Sequence, residues 1–464
     1  MTRGLLRCRL LWIVGAMGCS ELVGRTPASD GGADGPTRDV ADADAPTRPT
    51  GDVPPTPGCA TRADGTAGEE QVARAVDHTG TEVLGLKEFS TIADARGRVI
   101  LLGTIMPTSA GSAAAVLRLL PDGTFDRTFG DNGRLLVRTG EPFSSFLGAA
   151  FDARGRIVLA GYTCDATGGC HGLVARVTDD GALDTAFASR GWARLGPEVS
   201  PASTFRAVAV RDDRIVAAGT NLGLYAPPTG GVAAVFRDDG ALDRAFAGSG
   251  VYRDPARWFM SVAPHAEGFL LGGTERNGPH PSLLLLGPSG APVRTYGEAG
   301  LAVLSSAYGD SFDVLPDGAG GALLGVNALA PSASFVDGNG HAFVARVTPE
   351  GNLDRAFGRG GLLALESGIS HVYAVGRRLA AHCDGTFLYA GVALDWHTAM
   401  VARFTGRGAL DPRFGDGGIA QVRGLAGAEF SGNAGVVVSP EDASAVAVVG
   451  TSTNNAVGLR YLRP

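Results

Sequence analysis

Short apolar runs bounded by turn residues recur along this chain. The clearest is the turn Asp152-Ala153-Arg154-Gly155-Arg156 followed by Ile157-Val158-Leu159-Ala160 and Gly161. Six relatives of it lie at 94–103, 213–219, 267–273, 317–325, 384–391 and 441–450. Four to six consecutive apolar residues between turn residues predict a strand buried on both faces. Around the clearest copy the pattern predicts four strands, near 134–137, 146–151, 156–162 and 172–177.

A second pattern is interleaved with the first. It has a glycine, an aspartate three residues later, an aromatic six later and another glycine ten later. The copies are Gly123, Asp126, Phe129 and Gly133; Gly181, Asp184, Phe187 and Gly191; Gly240, Asp243, Phe246 and Gly250; Gly351, Asp354, Phe357 and Gly361; and Gly408, Asp411, Phe414 and Gly418. A sixth, Gly290, Tyr296 and Gly300, has Val293 in place of the aspartate. The leading glycines are 58, 59, 50, 61 and 57 residues apart, a period that marks a repeat protein. Four strands in a unit of this length form one blade of a β-propeller. Seven units fit from about Glu82 to Pro464, so the expected fold is an all-β, seven-bladed β-propeller of four-stranded blades, with the six motif copies as junctions between blades. Val72-Ala73-Arg74-Ala75-Val76 repeats Val174-Ala175-Arg176-Val177 in part. It reads either as a closing strand paired with the last blade or as a chance match.

The run Asp180-Gly181-Ala182-Leu183-Asp184-Thr185-Ala186-Phe187 and its copies resemble the delta-60 repeat family of bacterial propeller-like proteins, over residues 82–464. The resemblance implies a secreted or surface protein. It transfers no enzymatic activity and no catalytic residues.

Composition fits this picture. Seventy glycines, with abundant Val, Ala and Leu, suit many short strands joined by tight turns. The net charge is −7, and removal of Arg3, Arg7 and Arg9 with a leader would leave about −10. A phosphate backbone would be repelled by such a surface, and no basic run offsets it, so no nucleic-acid partner is expected.

Residues 1–18 combine these basic residues with the apolar run from Leu10 to Gly18, too short to span a bilayer, and read as a signal peptide. Ala16 and Gly18 before Cys19 resemble a lipobox, although Leu is more usual where Ala16 stands; Cys19 is the expected lipidation site, the alternative being an ordinary cleavage nearby. Residues 19–68 are rich in Asp, Pro, Gly and Thr and poor in apolar residues, which predicts a disordered tether reaching about 35–40 Å. The propeller domain is then 69–464. Cys164 and Cys170 flank a short glycine-containing turn and predict a disulfide in an exported protein. Cys59 and Cys383 are left as candidates for a second pair.

The repeated aspartates raise the question of calcium, but each unit supplies one fixed carboxylate rather than several closely alternating ones. The expected role of Asp126, Asp184, Asp243, Asp354 and Asp411 is to accept turn N–H groups, with Phe129, Phe187, Phe246, Phe357 and Phe414 packing beneath. Gly309-Asp310-Ser311-Phe312 resembles an esterase serine block but lacks a strand-to-helix elbow and an Asp-x-x-His partner. His371 and His382 lie eleven residues apart without a third ligand, so no metal or cofactor is expected.

Two functions remain. The first is a non-catalytic, monomeric, exported platform, lipid-anchored in the cell envelope or secreted, that binds a protein or glycan and meets the membrane only through its lipid. The alternative is a hydrolase or lyase with a site at the central channel. The propeller fold hosts both. Converging carboxylates, Arg and His at the channel would favour the enzyme; the insertions at 220–231 and 327–340 would favour binding.

Overall fold

The computed structural model describes residues 75–76, 87–94, 96–105, 112–121, 124–200, 202–221, 229–305, 309–328, 342–364, 374–382, 384–393, 398–423, 430–438, 445–451 and 457–462. The predicted leader and tether, Cys59, His371, Cys383 and most of the two insertions lie outside them.

The protein is an all-β propeller. Blade 2 shows the plan: Phe143–Phe151, Ile157–Cys164, Cys170–Val177 and Trp192–Arg194 pair antiparallel in chain order. Blade 1 spans residues 87–137, blade 3 spans 204–254, blade 4 spans 257–303, blade 5 spans 309–364 and blade 6 spans 374–423, each with the same order.

This phase corrects the expected blade count. Residues 134–137 pair with Ala113–Leu119 and so complete blade 1; they do not open blade 2. Each motif copy therefore lies inside a blade, joining its third and fourth strands, and is not a junction between blades. Six copies mark six blades built from four consecutive strands, where seven such units were expected. The chain beyond Arg423 carries no copy and supplies only three strands, Phe430–Val438, Ala445–Thr451 and Val457–Leu462. Their sheet takes its fourth strand from Ala75–Val76, which pairs with Val457 and Gly458.

First strands of successive blades contact one another, so they line the inside of the ring. Each is bulged, with the register shifting between Phe146 and Gly148, Phe205 and Ala207, Phe259 and Ser261, and Ser311 and Asp313 in blades 2–5. A bulge bends a strand and increases its twist. The core is divided among the interfaces between blades. Ile100, Leu102 and Val116 of blade 1 pack on Leu159, Leu173 and Ala175 of blade 2, and clusters of the same kind follow between blades 2 and 3, 3 and 4, 4 and 5, and 5 and 6.

The motif builds these interfaces. Phe129, Phe187, Phe246, Tyr296 and Phe357 are each at most 2% exposed and reach into the cluster shared with the next blade. The residue after the aromatic donates its N–H to a turn carbonyl of that blade, as Gly130 does to Asp180 (2.8 Å) and Ala188 to Asp239 (2.9 Å). The leading glycine of the receiving blade lies directly beneath. Gly181 has φ +82°, and a Cβ there would stand 2.4 Å from the Gly130 nitrogen and 2.8 Å from the Phe129 ring. Positive φ and this close approach together require glycine.

Candidate functional site

The motif aspartates are partners of buried arginines. Asp184 accepts from Arg176 Nε at 2.8 Å, from Arg156 Nη1 at 3.1 Å and from the Ala186 N–H at 3.0 Å. Arg176, 1% exposed, also reaches the next blade, donating to the Asp238 carbonyl (2.7 Å) and carboxylate (2.6 Å) and lying 5.0 Å from the Phe187 ring centroid. Asp126 with Arg118, Asp354 with Arg346 and Asp411 with Arg403 repeat the pairing. Burial alone would raise the carboxyl of Asp184, but the Ala186 N–H and the Arg176 and Arg156 guanidinium groups outweigh it and hold it below the usual range.

Two units depart from this scheme. Blade 3 has Val235 at the arginine position, and Asp243 pairs instead with Arg214 at 2.8 Å. Blade 4 has lost both partners: Val293 donates its backbone N–H to Leu285 just as Asp184 does to Arg176, but both side chains are apolar. An ion pair removed as a unit leaves no uncompensated charge. Among the described residues no group of three or more His, Cys, Asp or Glu is arranged to hold a metal ion.

The other residues singled out in the sequence are dispersed. Ser311 lies on the first strand of blade 5; its N–H donates to Thr274 Oγ1 at 3.0 Å, and its own Oγ has no partner among the described residues. His382 pairs with Asp384 in a turn of blade 6. Cys164 and Cys170 form a disulfide at the end of a blade 2 hairpin, where they face each other in register.

On the inner strands, burial pushes the Asp313 carboxyl up against the opposing effect of Arg378 (3.8 Å) and the Leu379 and Val314 N–H groups. Asp313 thereby bridges blades 5 and 6. Burial also raises Asp310, which is bonded to Thr274. Asp310 Oδ1, Trp258 Nε1, Ser261 Oγ and Ser311 Oγ, all from the first strands of blades 4 and 5, are buried without partners among the described residues.

A cleft of about 440 Å³ opens in blade 2. It is lined by Thr139, Glu141, Thr163, Arg190, Trp192 and Arg194, with Ala188 and Ala193. Its volume lies at the lower end of the roughly 300–1,000 Å³ typical of small-ligand sites. Thr139, Ser144 and Thr163 form a triangle of hydroxyls 2.8–3.1 Å apart. Arg194 pairs with Glu141 at 3.0 Å, and the Arg190 guanidinium lies 4.7 Å from the Trp192 ring centroid. His171 is the cross-strand neighbour of Thr163. Burial and Arg194 lower its pKa, and its Nδ1 is buried without a partner among the described residues. Among the described residues no hydrogen bond joins it to a cleft hydroxyl.

None of these cleft residues belongs to the periodic motif, and sequence reading missed them. The buried arginines were missed too, although the joint loss of Arg and Asp in blade 4 was a signal for them.

Residues 97–129 match the family described as "Domain of unknown function (DUF5122) beta-propeller". The match runs from a blade 1 turn to the motif aromatic Phe129. No curated protein matches the sequence. Among solved structures the chain is similar to the β-propeller domain of the Trilobed protease from Pyrococcus furiosus, at 9% identity over 81% of this chain and 94% of that chain, with a TM-score of 0.42. It is similar to the periplasmic gluconolactonase of Pseudomonas aeruginosa at 14% identity over 78% of this chain and 98% of that one, TM-score 0.42. An acylaminoacyl peptidase aligns at 11% identity over 82% of this chain, TM-score 0.42, and the chain spans about half (54%) of that peptidase's length. At this level of likeness the neighbours' activities do not transfer to this chain.

Proposed function

We propose that this chain is an exported member of the delta-60 repeat family, lipid-anchored at Cys19 and carried on the 19–68 tether, whose propeller binds an envelope protein or glycan without chemical turnover. The observation that carries this reading is the blade 2 cleft, where Glu141, Arg190, Arg194, Trp192 and hydroxyls converge without an engaged nucleophile and base. The periodic residues support it from the other side, because the motif Gly, Asp and aromatic positions are accounted for by blade closure. The test is a binding screen of glycans and envelope proteins against the wild type and Trp192→Ala. Retention of a ligand that the variant loses is expected; no ligand in either class sinks the reading. Intact mass should show a diacylated or triacylated Cys19 terminus, and an unmodified terminus elsewhere would remove the anchor.

A second reading has one observation in its favour. Asp310, raised by burial, stands on the first strand of blade 5 beside Ser311, whose Oγ, like Trp258 Nε1 on the first strand of blade 4, has no partner among the described residues. A buried carboxyl with a shifted pKa is a candidate general acid. Turnover of any hydrolase or lyase substrate that Asp310→Asn abolishes would establish that reading instead.

A further inference from the structure

We propose that the blade 2 cleft takes a carboxylate-bearing saccharide of the uronic-acid type, with Arg190 as its anion contact. The inference rests on the binding reading above and specifies its ligand class.

Arg190 supplies the first step. Its guanidinium lies over the Trp192 ring, 4.7 Å from the centroid, and among the described residues it makes no ion pair. An arginine stacked on an aromatic is fixed in plane while its N–H fork stays available, the geometry that suits a carboxylate. Arg194 lies four residues on, with its charge shared with Glu141, and the Arg194 and Glu141 side chains are partly open to solvent at 43% and 28% exposure. The lining itself carries two guanidinium groups against one carboxylate, an excess of positive charge at the ligand, with Asp165 and Glu198 farther back beside His171. The protein as a whole is negative, so an anion is drawn to this place by local rather than overall charge.

The second step is the remainder of the lining. Glu141 can accept from a ligand hydroxyl, and the part-buried Thr139 brings a hydroxyl to the cleft that is backed by the fully buried Thr163 at 2.8 Å. Apart from Trp192, the apolar lining consists of Ala188 and Ala193. A peptide side chain would find little apolar surface here, whereas a ligand that carries hydroxyls beside its carboxylate meets a partner at each side. The Cys164–Cys170 disulfide adjoins Thr163 and His171 in the same hairpin and holds that wall in place.

The experiment is calorimetric titration of the full chain with trigalacturonate, trigalactose, sodium acetate and inorganic phosphate at low and moderate salt. Trigalacturonate is expected to bind, weakening with salt, and trigalactose to bind at least tenfold more weakly. Arg190→Ala, an exposed position whose melting temperature should be unchanged, is expected to lose at least tenfold in affinity, with Arg190→Lys retaining part of it. Equal binding of both trisaccharides, unaffected by Arg190→Ala, would overturn the anionic class while leaving the binding reading intact. Acetate or phosphate binding as tightly as the trisaccharide would overturn the saccharide assignment. Absence of trigalacturonate binding, in a protein that retains another ligand in the wider screen, would overturn the proposal alone.

Discussion

Replacing Asp184 by Ala should be among the most damaging single changes on the blade surface, because the carboxylate neutralises an arginine that is 1% exposed. The change removes the bonds from Arg176 at 2.8 Å, Arg156 at 3.1 Å and the Ala186 N–H. Breaking a buried ion pair by removing one partner costs about 3–5 kcal/mol. Arg176 keeps the carbonyl and carboxylate of Asp238, and Arg156 keeps Asp152, so a cost near the lower end, about 3 kcal/mol, is expected. Asp243→Ala provides the control. Its arginine position holds Val235, and its partner Arg214 is 24% exposed, so the expected cost is about 1 kcal/mol. Blade 4 supplies the rescue: Arg176→Leu with Asp184→Val copies Leu285 and Val293 and should recover at least half of the loss. Urea unfolding at pH 7 measures all three. The reasoning fails if Asp184→Ala costs no more than Asp243→Ala, or if the double variant is less stable than Asp184→Ala.

Further outcomes follow from the same geometry. Asp126, Asp179, Asp184 and Asp238 have folded pKa values below the ordinary carboxylate value of about 3.9, so their stabilisation is present above about pH 4 and is lost as pH falls through the lowered values. Urea midpoints should therefore be flat from about pH 7 to 5 and fall below about pH 4, less steeply in Asp184→Ala; a rise on acidification would contradict the assignment. Asp313 has the opposite sign, favouring the folded state at low pH and losing that contribution as pH rises through its raised value. Cys164→Ser with Cys170→Ser opens a small loop and should cost about 2 kcal/mol, and non-reducing peptide mapping should find the two residues linked in the wild type. Calcium or a chelator should leave the melting temperature unchanged, since arginine occupies the repeated aspartates; a shift abolished by Asp184→Ala would show a metal site.

Much of the architecture is local and was readable from sequence. The run at 152–161 predicts a buried strand because its neighbours along the chain already bound it with turns, and Ile157–Cys164 is that strand. The phase of the repeat was not local. Nothing near residue 134 says whether its strand pairs backward to 113–119 or forward to 143–151, and choosing the forward pairing put the motif copies between blades instead of inside them. The fourth strand of the last sheet comes from Ala75–Val76, more than 380 positions from its partner, beyond the reach of any periodic pattern. Arg176 read as one polar residue in an apolar strand, because its second carboxylate, Asp238, is 62 residues away in the next blade. The cleft was hidden for a different reason. Arg190, Trp192 and Arg194 occupy non-repeating positions around Gly191, and it is the fold that brings Glu141 and Thr163 to them.

The central claim is that the propeller binds and does not turn over what it binds. An NMR time course of the ligand retained in the screen, mixed with stoichiometric full chain, tests this most directly. The account predicts line broadening of ligand signals that is relieved by Trp192→Ala, with no new resonances over the course. Product signals that grow with time and vanish in Asp310→Asn would contradict it.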